Sequence, residues 1–255
     1  MSGGEAGPFD ALQQRAIDAW QAGDMVGARK SFTLALKMAQ DQGDKAGAAI
    51  CWHRLGSVAL REGELAAAAA KFEKALLLHR ELEDGAGYAG ALHQLGTICL
   101  HRRDYEEARK LSRAAMNVQH QVGDTKGVAR SLYQIAASFM EEDNVTEAAE
   151  GFRHAIKVMR GVEDHAGISL ALQNLSVMAE RTGDPRASFR FIAASAVLQA
   201  GTQQPEAAAA LAQARDQAVK AGLDPAGFEA ALEAAAENFT RDDGEALIAE
   251  VFGKS

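Results

Sequence analysis

Two cysteines, four prolines and an aromatic content of only 6% in 255 residues remove several classes of protein at once. Cys51 and Cys99 stand 48 positions apart with no Cys-x-x-Cys spacing. Neither a disulfide framework nor a zinc site is indicated, and a reducing cytoplasmic location is expected. So few prolines leave no room for a Pro-rich linker, and sparse aromatics beside abundant Ala and Leu favour helix over sheet. Positive charge is also short: 27 Lys and Arg against 35 Asp and Glu give a net charge of −8 and a pI of about 5.4. That balance argues against a general nucleic-acid binder, because phosphate neutralisation needs clustered basic residues. The longest run free of Asp, Glu, Lys and Arg, Gly85 to His101, is shorter than the roughly 20 apolar residues of a membrane helix. Residues 1–10 have no basic stretch followed by an apolar core, so no secretory signal is expected. Catalytic signatures are missing too, with no HExxH, GxSxG, phosphate-binding Gly-rich loop or EF-hand loop. His93 and His101 are eight residues apart, about 12 Å along one helix, too far to share a metal ion. The expectation is a protein without cofactor, metal or enzymatic activity, and at 47% hydrophobic residues it is not a disordered one.

What the chain has instead is a period. Gly43-Asp44-x-x-Gly47 returns as Glu83-Asp84-x-x-Gly87, Gly123-Asp124-x-x-Gly127 and Glu163-Asp164-x-x-Gly167. A second series, Gly23-Asp24, Gly63-Glu64, Arg103-Asp104, Asp143-Asn144 and Gly183-Asp184, runs between them at the same forty-residue spacing. The unit is therefore two segments of about twenty residues, each closed by a turn signal. Ile50, Cys51, Leu55, Val58 and Ala59 in one segment, and Ala68, Phe72, Ala75, Leu76 and His79 in the next, follow helical three-and-four spacing. A Gly such as Gly63 takes the left-handed conformation that ends a helix, and the acidic residue after it caps the next. Turns this short force antiparallel helices. Gly56, Gly96 and Ala68 are expected where two helices of a hairpin approach closely. Phe72 and Phe152 are expected to fill the gap to the next repeat, and Leu95 joins Phe72 in the predicted core.

Trp52-x-x-Leu55-Gly56 followed by Ala68-x-x-x-Phe72 and Ala75 resembles the tetratricopeptide repeat pattern. Leu92, Leu95, Gly96, Ala108 and Ala115 continue it, as do Leu132, Ile135, Ala136, Ala148, Phe152 and Ala155. The first repeat keeps Ala28, Phe32 and Ala35; the fifth is degenerate at Leu172, Leu175, Ser176, Ser188, Ile192 and Ser195. The forty-residue unit is similar to the long-repeat class of kinesin light chain and Pins-type adaptors. The resemblance covers about Ala11 to Gln199 and implies an all-α, right-handed α-solenoid, stabilised by stacking of hairpins that cannot stand singly. The predicted organisation is a flexible N-terminus (1–9), a solenoid over 10–201 (repeats 10–43, 44–83, 84–123, 124–163 and 164–201) and an acidic C-terminal helical cap over 202–255. Helices are predicted from Pro205 to Ala221, from Pro225 to about Asn238 and after Asp243, with Ala208 to Ala214 covering repeat five. The segment 206–255 holds ten acidic and four basic side chains, so the array itself is close to neutral.

In such arrays the first helix of each pair lines a concave face, which the resemblance makes the expected partner site. By the forty-residue phase that face carries Gln13, Gln14 and Gln21; His53, Arg54, Ser57 and Arg61; His93, Gln94, Thr97 and His101. It continues with Tyr133, Gln134 and Glu141, then Gln173, Asn174 and Arg181. Long-repeat relatives commonly place Asn just before the Leu-Gly; here that place holds Gln14, Arg54, Gln94, Gln134 and Asn174. Side-chain amides both donate and accept, so a ladder of them can satisfy an extended peptide backbone. Arg54, Arg61, Arg102 and Arg181, with the histidines, favour a carboxylate-rich segment. The expected function is a protein-interaction adaptor or scaffold binding an extended acidic partner segment, with no nucleic acid and no membrane involved. The alternatives are a ligand- or peptide-sensing regulator and a self-assembling scaffold.

Overall fold

The computed structural model describes residues 7–200, 205–242 and 245–253, and among them lie thirteen helices and no strand. These are α1 (Pro8–Gln21), α2 (Met25–Asp41), α3 (Lys45–Arg61), α4 (Leu65–Glu81), α5 (Gly85–His101), α6 (Tyr105–Gln121), α7 (Thr125–Glu141), α8 (Val145–Gly161), α9 (His165–Arg181), α10 (Pro185–Ala200), α11 (Pro205–Lys220), α12 (Pro225–Asp242) and α13 (Glu245–Phe252). Consecutive helices pack against each other from α1 to α6 and from α7 to α11, as stacked hairpins require. No helix among the described residues is long and apolar enough to cross a membrane.

The twenty-residue beat comes from one turn used repeatedly. Between α2 and α3, Gly43 has φ 69°. Its N–H donates to the Gln40 carbonyl at 3.1 Å, and the Asp44 N–H reaches the Ala39 carbonyl at 2.8 Å. The Asp44 carboxylate then accepts from the Gly47 N–H at 2.9 Å. One residue thus closes one helix and opens the next, satisfying free carbonyls and amides on both sides. Asp24, Asp84 and Asp164 repeat the cap. Positive φ falls at 23, 43, 63, 83, 103, 123, 143, 163 and 183; at Glu83, Arg103, Asp143 and Glu163 a side-chain-bearing residue adopts it, with φ of 55–60°. Those turns keep the geometry without glycine, at a steric cost of roughly 1 kcal/mol each. Glu64 differs from expectation: it makes no side-chain cap, because its carboxylate, one methylene further out, pairs with Arg29 at 3.0 Å.

Inside the hairpins, small residues decide how closely helices approach. A Cβ on Gly56 would meet the Phe72 ring at 2.9 Å, and one on Gly151 would meet the Ala136 Cβ at 2.8 Å. The second hairpin thus carries its glycine on α3, opposite the ring. In the fourth, alanine stands at the corresponding place on α7 and the glycine has moved to α8. Phe72 and Phe152 are both fully buried. Phe72 clusters with Ile98 and Leu95 of the following hairpin as well as with its own; Leu95 itself is only partly buried. Ile50, placed by periodicity in the apolar stripe, is 42% exposed.

The chain divides into two compact units, residues 1–124 and 125–255. In the first, α1 to α6 form three hairpins, α3 lies against α5 and Arg61 of α3 reaches over Trp20 of α1, which puts the odd-numbered helices in one layer. In the second, α7 to α10 form two hairpins with α7 against α9, and α11 and α12 pack on α10. Phe189, Ile192 and Ala196 of α10 meet Ala210, Ala214, Ala218 and Phe228 there. Ala208, expected to help cover repeat five, is exposed. α12 runs to Asp242, past the predicted end at Asn238, and α13 turns back onto α8.

Candidate functional site

In the first unit the candidate residues lie on α1, α3 and α5, and neighbouring groups occupy several of them. Gln14 is exposed, and its amide donates to Asp18 at 2.8 Å. Arg54, in the middle of α3, is exposed. Ser57 and Thr97 turn their hydroxyls back to the carbonyls of His53 and His93, at 3.2 and 3.1 Å. His93 and Gln94 are half-buried, and His101 is the exposed last residue of α5. Arg102 falls in the turn after α5 instead of on the helix face. Arg61, ending α3, holds its guanidinium 5.0 Å over the Trp20 ring of α1, a cation–π contact that ties α1 to α3.

His53 corrects the expected charge of this face. Its ring packs edge-on against Phe72 with centroids 5.1 Å apart. Burial pushes its pKa down to about 4, with nearby Arg54 and His79 adding to the shift. It is neutral at pH 7 and supplies no positive charge. The basic part of the face is therefore centred on Arg54.

The second unit binds the corresponding residues internally. Tyr133 takes His53's place, edge-on to Phe152 at 5.5 Å. Its hydroxyl accepts from Asn174 Nδ2 at 2.7 Å, joining α7 to α9. Burial pushes the Tyr133 pKa up, and the Asn174 bond opposes that shift. Gln134 is buried, at 4% exposure, and so does not line an open surface as the repeat phase predicts. Gln173 donates to Ser195 at 3.4 Å. Arg181 reaches back to the Met140 carbonyl at 3.3 Å and to Asp143 at 3.5 Å.

Two features were missed by periodicity. His79 is a buried histidine, not an apolar filler: its Nδ1 lies 2.8 Å from the Asp84 carboxylate. The Gly87 N–H, first, and His79 hold the Asp84 carboxyl below its usual range. No sequence signal set His79 apart: Gly87, where a Cβ would stand 2.1 Å from His79 Nδ1, recurs in the period as Gly47, Gly127 and Gly167. In the degenerate fifth hairpin the serines pair, Ser169 with Ser195 at 2.6 Å and Ser176 with Ser188 at 2.9 Å. Cys51 is buried and its thiol pKa is pushed up to about 11 by that burial, which leaves it a packing group instead of a nucleophile. No cluster of three or more His, Cys, Asp or Glu suited to a metal ion occurs among the described residues.

No family model and no curated protein matches the chain, whereas solved structures do. The repeats of a putative kinesin light chain from Podosopora anserina align at 14% identity with a TM-score of 0.58, covering 76% of this chain and 96% of that one. The apo form of RapI aligns at 12% identity and a TM-score of 0.64, covering 96% and 95%. A signal-transduction ATPase with a tetratricopeptide repeat sensor, from Pyrococcus horikoshii, gives 16% identity and a TM-score of 0.68. It covers 96% of this chain and 38% of that one. At such identities what is shared is the fold: this chain is a tetratricopeptide-like, all-α array of paired helices.

Proposed function

We propose that the chain is a non-enzymatic, cytoplasmic protein-interaction scaffold that receives an extended acidic segment along the α1–α3–α5 layer of its first unit. The observation carrying this reading is the exposure of Arg54 in mid-helix, with Gln14 and Gln94 at the same phase of the neighbouring repeats. A guanidinium offers a planar fork of donors to a carboxylate. Amides beside it both donate and accept, which suits a backbone with alternating N–H and C=O groups. Arg61, His101 and Arg102 stand at the helix ends and set encounter rate more than affinity. The helices that follow α10 serve as the cap of the array, which open solenoid ends require.

A peptide-display selection on the intact chain tests this. The enriched peptides are expected to be acidic and extended, and Arg54→Glu is expected to weaken them by about tenfold or more, the scale of one charge-assisted contact. Arg186→Glu, on the exposed side of α10, is expected to leave them unchanged. Undiminished binding to Arg54→Glu sinks the proposal.

A further inference from the structure

α13 is eight residues long, below the roughly 12–15 at which an isolated helix holds itself in water. Its helical state therefore depends on what it lies against. Leu247, Ile248, Val251 and Phe252 form one apolar stripe over two turns. Ile248 and Phe252 are 3% and 8% exposed, and Leu247 and Val251 are partly buried in the same cluster. Phe252 stacks on Phe191 of α10, with ring centroids 5.8 Å apart and planes 9° from parallel. Glu250 accepts both nitrogens of the Arg190 guanidinium, at 3.0 and 3.1 Å. That pair is about half exposed, but its two-point fork is the geometry in which a surface ion pair does contribute to binding. Against α8 the fit is incomplete. A cleft of about 200 Å³ lies between Ile248, Ala249 and Phe252 on one side and Thr146, Ala149 and Arg153 on the other.

We propose that the α8–α10 surface beneath α13 is a helix-docking site and that α13 is its resident, displaceable occupant. Its external ligand is an amphipathic helix with two apolar residues four positions apart and an acidic residue placed for Arg190. The chemistry of the ligand is that of the resident. Being tethered gives α13 an effective concentration in the millimolar range. A competitor overcomes this by being longer, hence more helical on its own, and by filling the cleft α13 leaves empty. The surface belongs to even-numbered helices and is independent of the reading given for α1, α3 and α5.

The test uses a fluorescein-labelled peptide of residues 243–255 titrated into the full chain. Ile248→Ala/Phe252→Ala, which loosens α13, is expected to bind it at least about tenfold tighter than wild type, and Arg190→Glu added to it is expected to reverse the gain. Glu250→Arg repels Arg190 without touching the core, so it supplies the same comparison if the double variant fails to fold. A second peptide, lengthened by one turn ending in Leu, is expected to bind wild type more tightly than the first. Equal affinity of wild type and a folded loosened variant, or no binding to that variant, overturns the proposal.

Discussion

The two units are built from the same hairpin yet treat the same positions differently. At the phase of residue 54 the first unit presents Gln14 and Arg54 to solvent, while the second buries Gln134 and joins Asn174 to Tyr133. The ring beside it is a histidine with a depressed pKa in one and a tyrosine with a bonded hydroxyl in the other. A polar residue on the odd-numbered helices is thus not by itself a binding residue. Whether it meets a partner or a neighbouring helix depends on the side chain opposite. In the second unit a tyrosine long enough to reach across removes Asn174 from the available set.

The comparison can be broken at its strongest point first. Phe72→Ala and Phe152→Ala remove fully buried rings from equivalent places, and each is expected to cost about 3–5 kcal/mol in urea unfolding. A large effect in one unit alone would show the hairpins not to be energetic equivalents. The reciprocal glycines come next: Gly56→Ala and Gly151→Ala should each cost about 1–3 kcal/mol through overpacking. Lys71→Gly is expected to recover part of the Gly56→Ala loss, by making the second hairpin like the fourth. Acid distinguishes the units through His53. A histidine whose folded pKa lies near 4 stabilises the folded chain above pH 6.5, and that contribution is lost as pH falls towards 4. Its scale is on the order of 2 kcal/mol after allowance for partial solvation, and Asp84 titrates in the same direction. His53→Gln should flatten the fall in melting temperature over that window, whereas Tyr133→Phe should not. Asn174→Ala should lower stability by about 0.5–1.5 kcal/mol. Arg54→Ala should move it by less than about 0.5 kcal/mol, and equal effects would erase the distinction between bonded and open faces.

Most of the fold was legible because the turn is local. Its requirements, a left-handed residue followed by a capping acid, fall on adjacent positions and repeat every twenty residues. Even there, Glu83, Arg103, Asp143 and Glu163 adopt the left-handed geometry without glycine, because the flanking helices pack whether or not the turn residue is ideal. Stripe positions were legible by period, except where a residue such as Ile50 sits at the edge of the buried arc. The candidate site was legible only as a row of positions. Tyr133 and Asn174 are 41 residues apart and touch on adjacent helices, a pairing no local pattern announces. The docking of α13 on Phe191 and Arg190 spans some sixty residues and carries no repeat.

By itself, then, the amino-acid order determined where the helices of the repeats begin and end and how consecutive ones pair. Each of those depends on backbone sterics and capping within a few residues. Tertiary structure alone decided which polar side chains remain open, because hydrogen-bond satisfaction depends on the atom that arrives opposite. That atom comes from another turn of the array, at a distance along the chain over which periodicity carries no information about geometry.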